Sequence, residues 1–333
     1  MNKDQKHEEL PDTKGVDTKE ALSQQYGGIH AGGWVDTLPK SWIPYIQLAR
    51  LSPPAALFLI YFPHVFGVLH AANVHQLPAP EVIRTCVLLL GGSFFFSNAA
   101  HAWNDIVDAP IDKQVARTKK RPIPRGDISP YQALAFAAVQ AIGAASFLLF
   151  FPIPTAIATV PTIVGTTYYP WSKRHFYFPQ LVLGFCLSWG IMVGSAATGM
   201  VSPWTDRGAL CLLFTSILWT TIYDTIYAYQ DITDDVKIGV MSTAVFFGNH
   251  TKTLLWLLLF LLGTSLVIYG ELTQMGTVYY VVTICGSLSS LASMVANVQL
   301  KDDASCWWWF SWGFWFTGIS ITIGLIATYV SSY

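Results

Sequence analysis

VIRTCVLLLGGSFFFSNAAHAW, residues 82 to 103, runs directly into NDIVDAPID, residues 104 to 112. The first part carries a single charge, Arg84, and as a helix it is long enough to cross a hydrocarbon core about 30 Å thick. The second part sets Asn104, Asp105, Asp108 and Asp112 at the end of that apolar rod. A helix continued through it would bring Asn104, Asp108 and Asp112, at i, i+4 and i+8, onto one face. Pro110 threatens that alignment, because proline lacks the amide hydrogen and crowds the preceding turn.

The rest of the chain has the same character. Of its 333 residues 53% are hydrophobic and 12% charged, against about a quarter charged in a soluble domain, and mean hydropathy is +0.43. Apolar spans are expected near 44 to 70, 82 to 104, 131 to 150, 153 to 171, 178 to 200, 208 to 230, 253 to 271, 276 to 297 and 306 to 330. Only a proline-rich break at Pro152-Ile153-Pro154 separates the third from the fourth. Trp307 to Trp309 and Tyr279-Tyr280 bring amphipathic rings to span ends, as membrane interfaces favour. The fold class is therefore an all-α integral membrane protein, a bundle of about nine transmembrane helices over residues 42 to 333. Residues 1 to 41 form a polar arm with too little apolar surface to order itself. Its first 40 residues hold five Lys, seven acidic residues and no Arg, which is unlike a mitochondrial presequence. The five cysteines sit in or beside apolar runs without a Cys-x-x-Cys pair and read as small core residues.

The net charge of -1 hides a strong asymmetry. Lys113, Arg117, Lys119, Lys120, Arg121 and Arg125 follow the second span, and Lys173, Arg174, Lys237, Lys252 and Lys301 fall in companion loops. The opposite side offers Arg207 and, near a helix end, Arg84. By the positive-inside rule the basic loops face the cytoplasm of an endomembrane such as the endoplasmic reticulum, and chemistry carried there faces the cytosol. The lipid bilayer is the medium, no nucleic-acid partner is expected, and no protein partner is specified.

A second acidic cluster, Asp224, Tyr227, Asp231, Asp234 and Asp235, ends the sixth span at the same depth and on the same side as the first. Carboxylates gathered this closely repel, and near a membrane they call for a compensating cation. Mg²⁺ suits them, since it takes one or two protein carboxylates and leaves its other positions to water and substrate phosphates. Arg117, Arg121, Lys173 and Arg174 supply the basic component that a diphosphate needs. A basic loop alone is usually a topology signal or a lipid contact. Two acidic clusters at matching depth, each beside basic residues, point instead to a metal-diphosphate complex.

Residues 104 to 112 match the N-D-x-x-D-x-x-x-D motif of UbiA-type membrane prenyltransferases, and Arg117-Thr118-x-x-Arg121-Pro122 follows at the family spacing. Tyr169-Pro170-Trp171-Ser172-Lys173-Arg174 and Pro179-Gln180 resemble two further family elements. Asp224 through Asp231, Asp234-Asp235, Gly239 and Ser242-Thr243-Ala244 resemble the second motif of the 4-hydroxybenzoate polyprenyltransferase branch. The resemblance implies a nine-helix bundle around a central cavity open laterally to lipid. It implies that Asn104, Asp108, Asp112, Asp231 and Asp235 hold Mg²⁺, with Asp105, Asp224 and Asp234 as lesser candidates. It further implies that Arg117, Arg121, Lys173 and Arg174 neutralise the diphosphate, and that Arg50 meets a carboxylate of the aromatic acceptor.

Ser52-Pro53-Pro54 follows Arg50 where the ubiquinone branch typically has Asp-Lys-Pro or Asp-Arg-Pro. With the missing presequence, that departure favours Mg²⁺-dependent farnesyl transfer onto a phenolic acid in meroterpenoid secondary metabolism. The alternative is a 4-hydroxybenzoate polyprenyltransferase of ubiquinone biosynthesis. A cation-coupled transporter is the rival of another class, and it requires charges near the bilayer midplane rather than at helix ends. His101, three residues before Asn104, reads as a packing or supporting residue.

Overall fold

The computed structural model describes residues 34 to 331, and every regular element among them is helical. The disorder expected of residues 1 to 33 lies outside the described residues. Within the expected arm, Trp34–Thr37 forms a 3-10 turn, because Val35 has apolar surface to bury and does so almost completely. The principal helices are α1 (Ile43–Leu48), α2 (Ala55–His75), α3 (Ala79–Asp112), α4 (Pro130–Phe147), α5 (Ile153–Ser172) and α6 (Pro179–Ser188). They continue with α7 (Gly190–Ala197), α8 (Arg207–Ala228), α9 (Ile232–Ile238), α10 (Thr251–Leu272), α11 (Gly286–Asn297) and α12 (Asp303–Ser331). Among the described residues, 8 helical spans are long and apolar enough to cross a membrane, so the expected nine are met to within one. The difference is α5, a 20-residue helix diluted by Thr155, Thr159, Thr162, Thr166 and Thr167.

Two spans are shaped differently from the straight rods expected. The first breaks after Leu48: Arg50 adopts a left-handed backbone with φ 53°, and α2 restarts beyond Pro53 and Pro54, which have no amide hydrogen to continue a ladder. The fifth is divided at Trp189 into α6 and α7. By contrast, α3 runs unbroken for 34 residues through Pro110 to Asp112, so the carboxylate face survives intact.

The core centres on α8, where Trp219, Ile222, Tyr223 and Ile226 are almost wholly buried. Phe62 and Phe66 of α2 pack on Trp219, and Phe310 and Phe314 of α12 pack on Tyr223. Ring pairs of this kind add directional contact energy to their burial. Helices α2 and α7 touch backbone to backbone: a Cβ at Gly67 would lie 2.0 Å from the Ile191 carbonyl oxygen, and one at Gly194 would lie 2.1 Å from that of His64. Small residues permit this approach, as they do between helices in lipid. Around the outside, Tyr131, Val139, Ile142, Phe260 and Phe316 are exposed, an apolar girdle that only lipid solvates well.

Candidate active site

All five expected metal ligands line one cavity of about 210 Å³ at the end of the bundle where α3 and α8 finish. Asn104, Asp108 and Asp112 come from one face of α3. Asp231 stands at the N-cap position of the short helix α9, and Asp235 follows one turn later. Arg117, Arg121, Lys173 and Arg50 line the same cavity, with Tyr169, Tyr223 and Asp224.

The basic residues cross the cavity and join the acidic elements. Lys173 Nζ lies 2.6 Å from Asp108 Oδ2, and Arg121 Nη1 lies 2.9 Å from Asp112 Oδ2. Arg117 makes a forked contact with Asp231, its Nε donating at 2.9 Å to Oδ1 and its Nη2 donating to Oδ2. Its third nitrogen donates to the Tyr227 hydroxyl at 2.8 Å, and the guanidinium sits 5.0 Å from that ring's centre. Arg117 thus ties the loop after α3 to the end of α8, which is how acidic clusters more than a hundred residues apart come to share one site. Burial, and then Asp231 beside it, push the Asp235 carboxyl up to about 7. Burial alone would lower Arg117, but Asp231 and Tyr227 more than offset that and hold it above the ordinary arginine range.

The remaining sequence candidates take other positions. Asp105 is fully buried behind the cavity wall, where its Oδ1 accepts from Arg50 at 2.7 Å and from Arg121 at 3.2 Å. It holds two cavity cations in line. Asp234 accepts from the Ala116 amide at 2.9 Å and lies 3.5 Å from Lys237, away from the cavity lining. Arg174, expected on the diphosphate, is not among the lining residues; it donates to the Val107 carbonyl at 2.6 Å and pins the end of α5 to α3. Its partner Lys173 faces inward because successive residues at a helix end point about 100° apart.

Sequence reasoning gave no role to Gln180, whose Oε1 accepts from the amide and hydroxyl of Thr243 at 3.0 and 2.8 Å, joining two of the motif elements. It also missed a second cavity of about 370 Å³ among α3, α4 and α5, lined by Leu88, Phe96, Ala141, Phe147 and Ile163. Phe96, Ala100 and Thr166 belong to both cavities, so the charged chamber adjoins an apolar one. Nothing in an apolar run marks which of its residues will face a void.

The donor set fits Mg²⁺. All the candidate ligands are oxygen donors, and Asp108 Oδ1 is buried without a hydrogen-bond partner, as a carboxylate oxygen meant for a cation would be. No three acidic, His or Cys side chains among the described residues converge closely enough to hold a metal alone. That spacing suits an ion whose shell phosphate oxygens complete.

Comparison with known proteins gives the family. The UbiA prenyltransferase family model matches residues 60 to 319. The chain belongs to that family. This UbiA prenyltransferase is 32% identical to prenyltransferase stbC of Stachybotrys bisbyi, with 91% of each chain covered. It is 33% identical to the mitochondrial 4-hydroxybenzoate polyprenyltransferase of Schizosaccharomyces pombe, covering 83% of this chain and 77% of that one. Its fold matches that of a UbiA homolog from Archaeoglobus fulgidus bound to DMAPP and Mg²⁺, with TM-score 0.59 at 14% identity over 83% of this chain and 99% of the other.

Proposed function

We propose that this prenyltransferase joins an allylic isoprenoid, farnesyl by preference, to the ring of a phenolic acid and releases diphosphate. The observation that carries this reading is the adjoining of the two cavities: one paired in charge for a metal diphosphate, the other apolar and suited to a prenyl chain. Asn104, Asp108, Asp112, Asp231 and Asp235 would hold Mg²⁺, which screens the carboxylates from the diphosphate and stabilises the charge growing on it. Arg117, Arg121 and Lys173 exchange a carboxylate partner for phosphate oxygens, so their positive charge stays where the leaving group forms. Tyr169 and Tyr223 line the same space, and aromatic rings there would favour an allylic cation over water. Arg50, held by Asp105, lines the same cavity and would meet a carboxylate on the acceptor.

Ser52-Pro53-Pro54 beside Arg50 favours a role in secondary metabolism, and the Stachybotrys bisbyi relative, prenyltransferase stbC, supports prenyl transfer itself. The Schizosaccharomyces pombe relative supports the second reading, 4-hydroxybenzoate prenylation for ubiquinone. The basic loops beside the site support a cytosolic orientation in an endomembrane. Purified protein in lipid nanodiscs, given Mg²⁺ and a grid of dimethylallyl to farnesyl and longer donors against phenolic acids including 4-hydroxybenzoate, tests both readings by mass spectrometry of products. Product with farnesyl and a substituted phenolic acid supports the first, and a marked preference for long donors with 4-hydroxybenzoate supports the second. Absence of prenylated product across the grid would refute the assignment.

A further inference from the structure

His101 stands on α3 where the two cavities meet. It precedes Asn104 by one helical turn and follows Ala100, a residue both cavities share. Its Nδ1 is 2.7 Å from the Ser97 carbonyl oxygen one turn back, and 3.3 Å from the Ser97 hydroxyl. A carbonyl oxygen only accepts, so in the neutral ring the hydrogen sits on Nδ1 and Nε2 keeps its lone pair. Among the described residues no hydrogen bond engages Nε2, while the ring lines the charged cavity together with Arg50, Tyr169 and Tyr223. Of the carboxylates lining that cavity, Asp108, Asp112 and Asp231 are paired to cations, while Asp224 and Asp235, which have no ion pair among the described residues, belong to α8 and α9 rather than to α3. His101 therefore offers an uncharged acceptor, fixed in tautomer by the helix backbone, at the junction where a prenyl carbon and an aromatic ring would meet.

We propose that His101 Nε2 accepts the hydrogen bond of the acceptor's phenolic hydroxyl and takes its proton as the ring attacks. This rests on the aromatic-acceptor reading above and assigns one more residue to it. The allylic C–O bond breaks with its electron pair leaving on diphosphate, and a ring carbon ortho to the hydroxyl forms the new C–C bond. As it does so the hydroxyl proton moves to Nε2, leaving a dienone rather than a ring cation. The hydrogen on the prenylated ring carbon is then lost as a proton to a diphosphate oxygen. The proton on Nε2 returns to the ring oxygen, so the phenol, its aromaticity and the neutral imidazole are all restored. A base positioned for such a transfer accelerates it by roughly 100-fold or more.

The test compares a phenolic acceptor with its O-methyl ether, which keeps an electron-rich ring but has no proton to give. Full-length protein in nanodiscs is assayed with Mg²⁺ and saturating geranyl or farnesyl diphosphate. Wild type is expected to favour the phenol by roughly 100-fold in kcat/KM. His101→Ala should lose phenol turnover but not ether turnover, closing the preference to within about threefold, and His101→Gln, which retains an amide oxygen, should recover part of it. Calorimetric binding without donor supplies a second readout, in which His101→Ala weakens the phenol selectively; equal weakening of both ligands would mean a packing role and overturn the proposal. Equal use of phenol and ether by wild type overturns it even if neither variant folds, as does a preference that survives in His101→Ala. Failure of wild type to prenylate any aromatic acceptor is a separate result, which removes the acceptor reading and this proposal with it.

Discussion

The two ends of α8 carry polar clusters built on opposite plans. At its C-terminal end, Asp224 and Asp231 face a cavity crossed by Arg117, Arg121 and Lys173; the links of Arg117 to Asp231 and of Lys173 to Asp108 join segments far apart in the chain, and that of Arg121 to Asp112 adds a local one. About 27 Å away along the helix axis, Asp206 caps the first turn by accepting from the Ala209 amide at 2.7 Å. Its Oδ1 also meets Nε2 of the buried His70 at 2.9 Å, and His70 Nδ1 lies 3.1 Å from the Tyr269 hydroxyl. That second cluster clasps α2, α8 and α10 without adjoining either cavity. A ligand site needs charges that can change partner, whereas a helix clasp needs partners that are satisfied once and remain so. The contrast predicts that perturbing the first cluster costs catalysis, and perturbing the second costs stability.

Chelation is the harshest way to break the comparison. Excess EDTA should abolish prenyl transfer and Mg²⁺ should restore it, while the melting temperature of the ligand-free protein changes little; sustained turnover in EDTA would sink the metal assignment. Next in size are Asp108→Asn and Asp231→Asn, each expected to lower kcat/KM by roughly 1,000-fold or more in folded protein. Because the two carboxylates serve one complex, the double variant should be scarcely worse than either single, and multiplicative losses would show that they act separately.

Third, His70→Ala should leave donor and acceptor KM unchanged yet cost about 2 to 4 kcal/mol, since it opens a cavity and strands two polar partners. Asp206→Ala, which removes a cap and leaves Nε2 of the buried His70 without its partner, should cost about 2 to 3 kcal/mol. A large loss of turnover in well-folded His70→Ala would erase the distinction between the ends.

The smallest effect is a difference in the sign of pH dependence, read from melting curves in EDTA. Asp235 is held up to about 7 by burial and by Asp231, so the folded chain retains a proton that the unfolded chain has lost above about 4. Stability should therefore decline as pH rises from about 4 to about 7, and Asp235→Asn should flatten that slope. Asp206 is held down to about 2, chiefly by its hydrogen bond with His70. Its contribution is complete above about 4 and disappears as pH falls towards about 2, a change Asp206→Asn should remove.

Much of this protein is legible in one dimension. Spans 82 to 104 and 306 to 330 announce themselves because lipid rewards the whole length of an apolar helix, whatever its neighbours are. The common face of Asn104, Asp108 and Asp112 follows from helical repeat alone, once the backbone tolerates Pro110. Other features depend on packing. Arg174 and Lys173 are adjacent and chemically alike in sequence, and only the approach of α5 to α3 sends one to the Val107 carbonyl and the other to Asp108. The break at Arg50 is visible only as a pair of prolines, yet its outcome is a guanidinium shared with Asp105. Neither the apolar cavity nor the lone pair of His101 has a signature in the sequence. A void is the difference between surfaces brought together from several helices, and a tautomer is set by the atom opposite. The sequence by itself determined solvent, helix periodicity and the stock of charges, all local properties, while tertiary structure decided which charges meet and where the empty space lies.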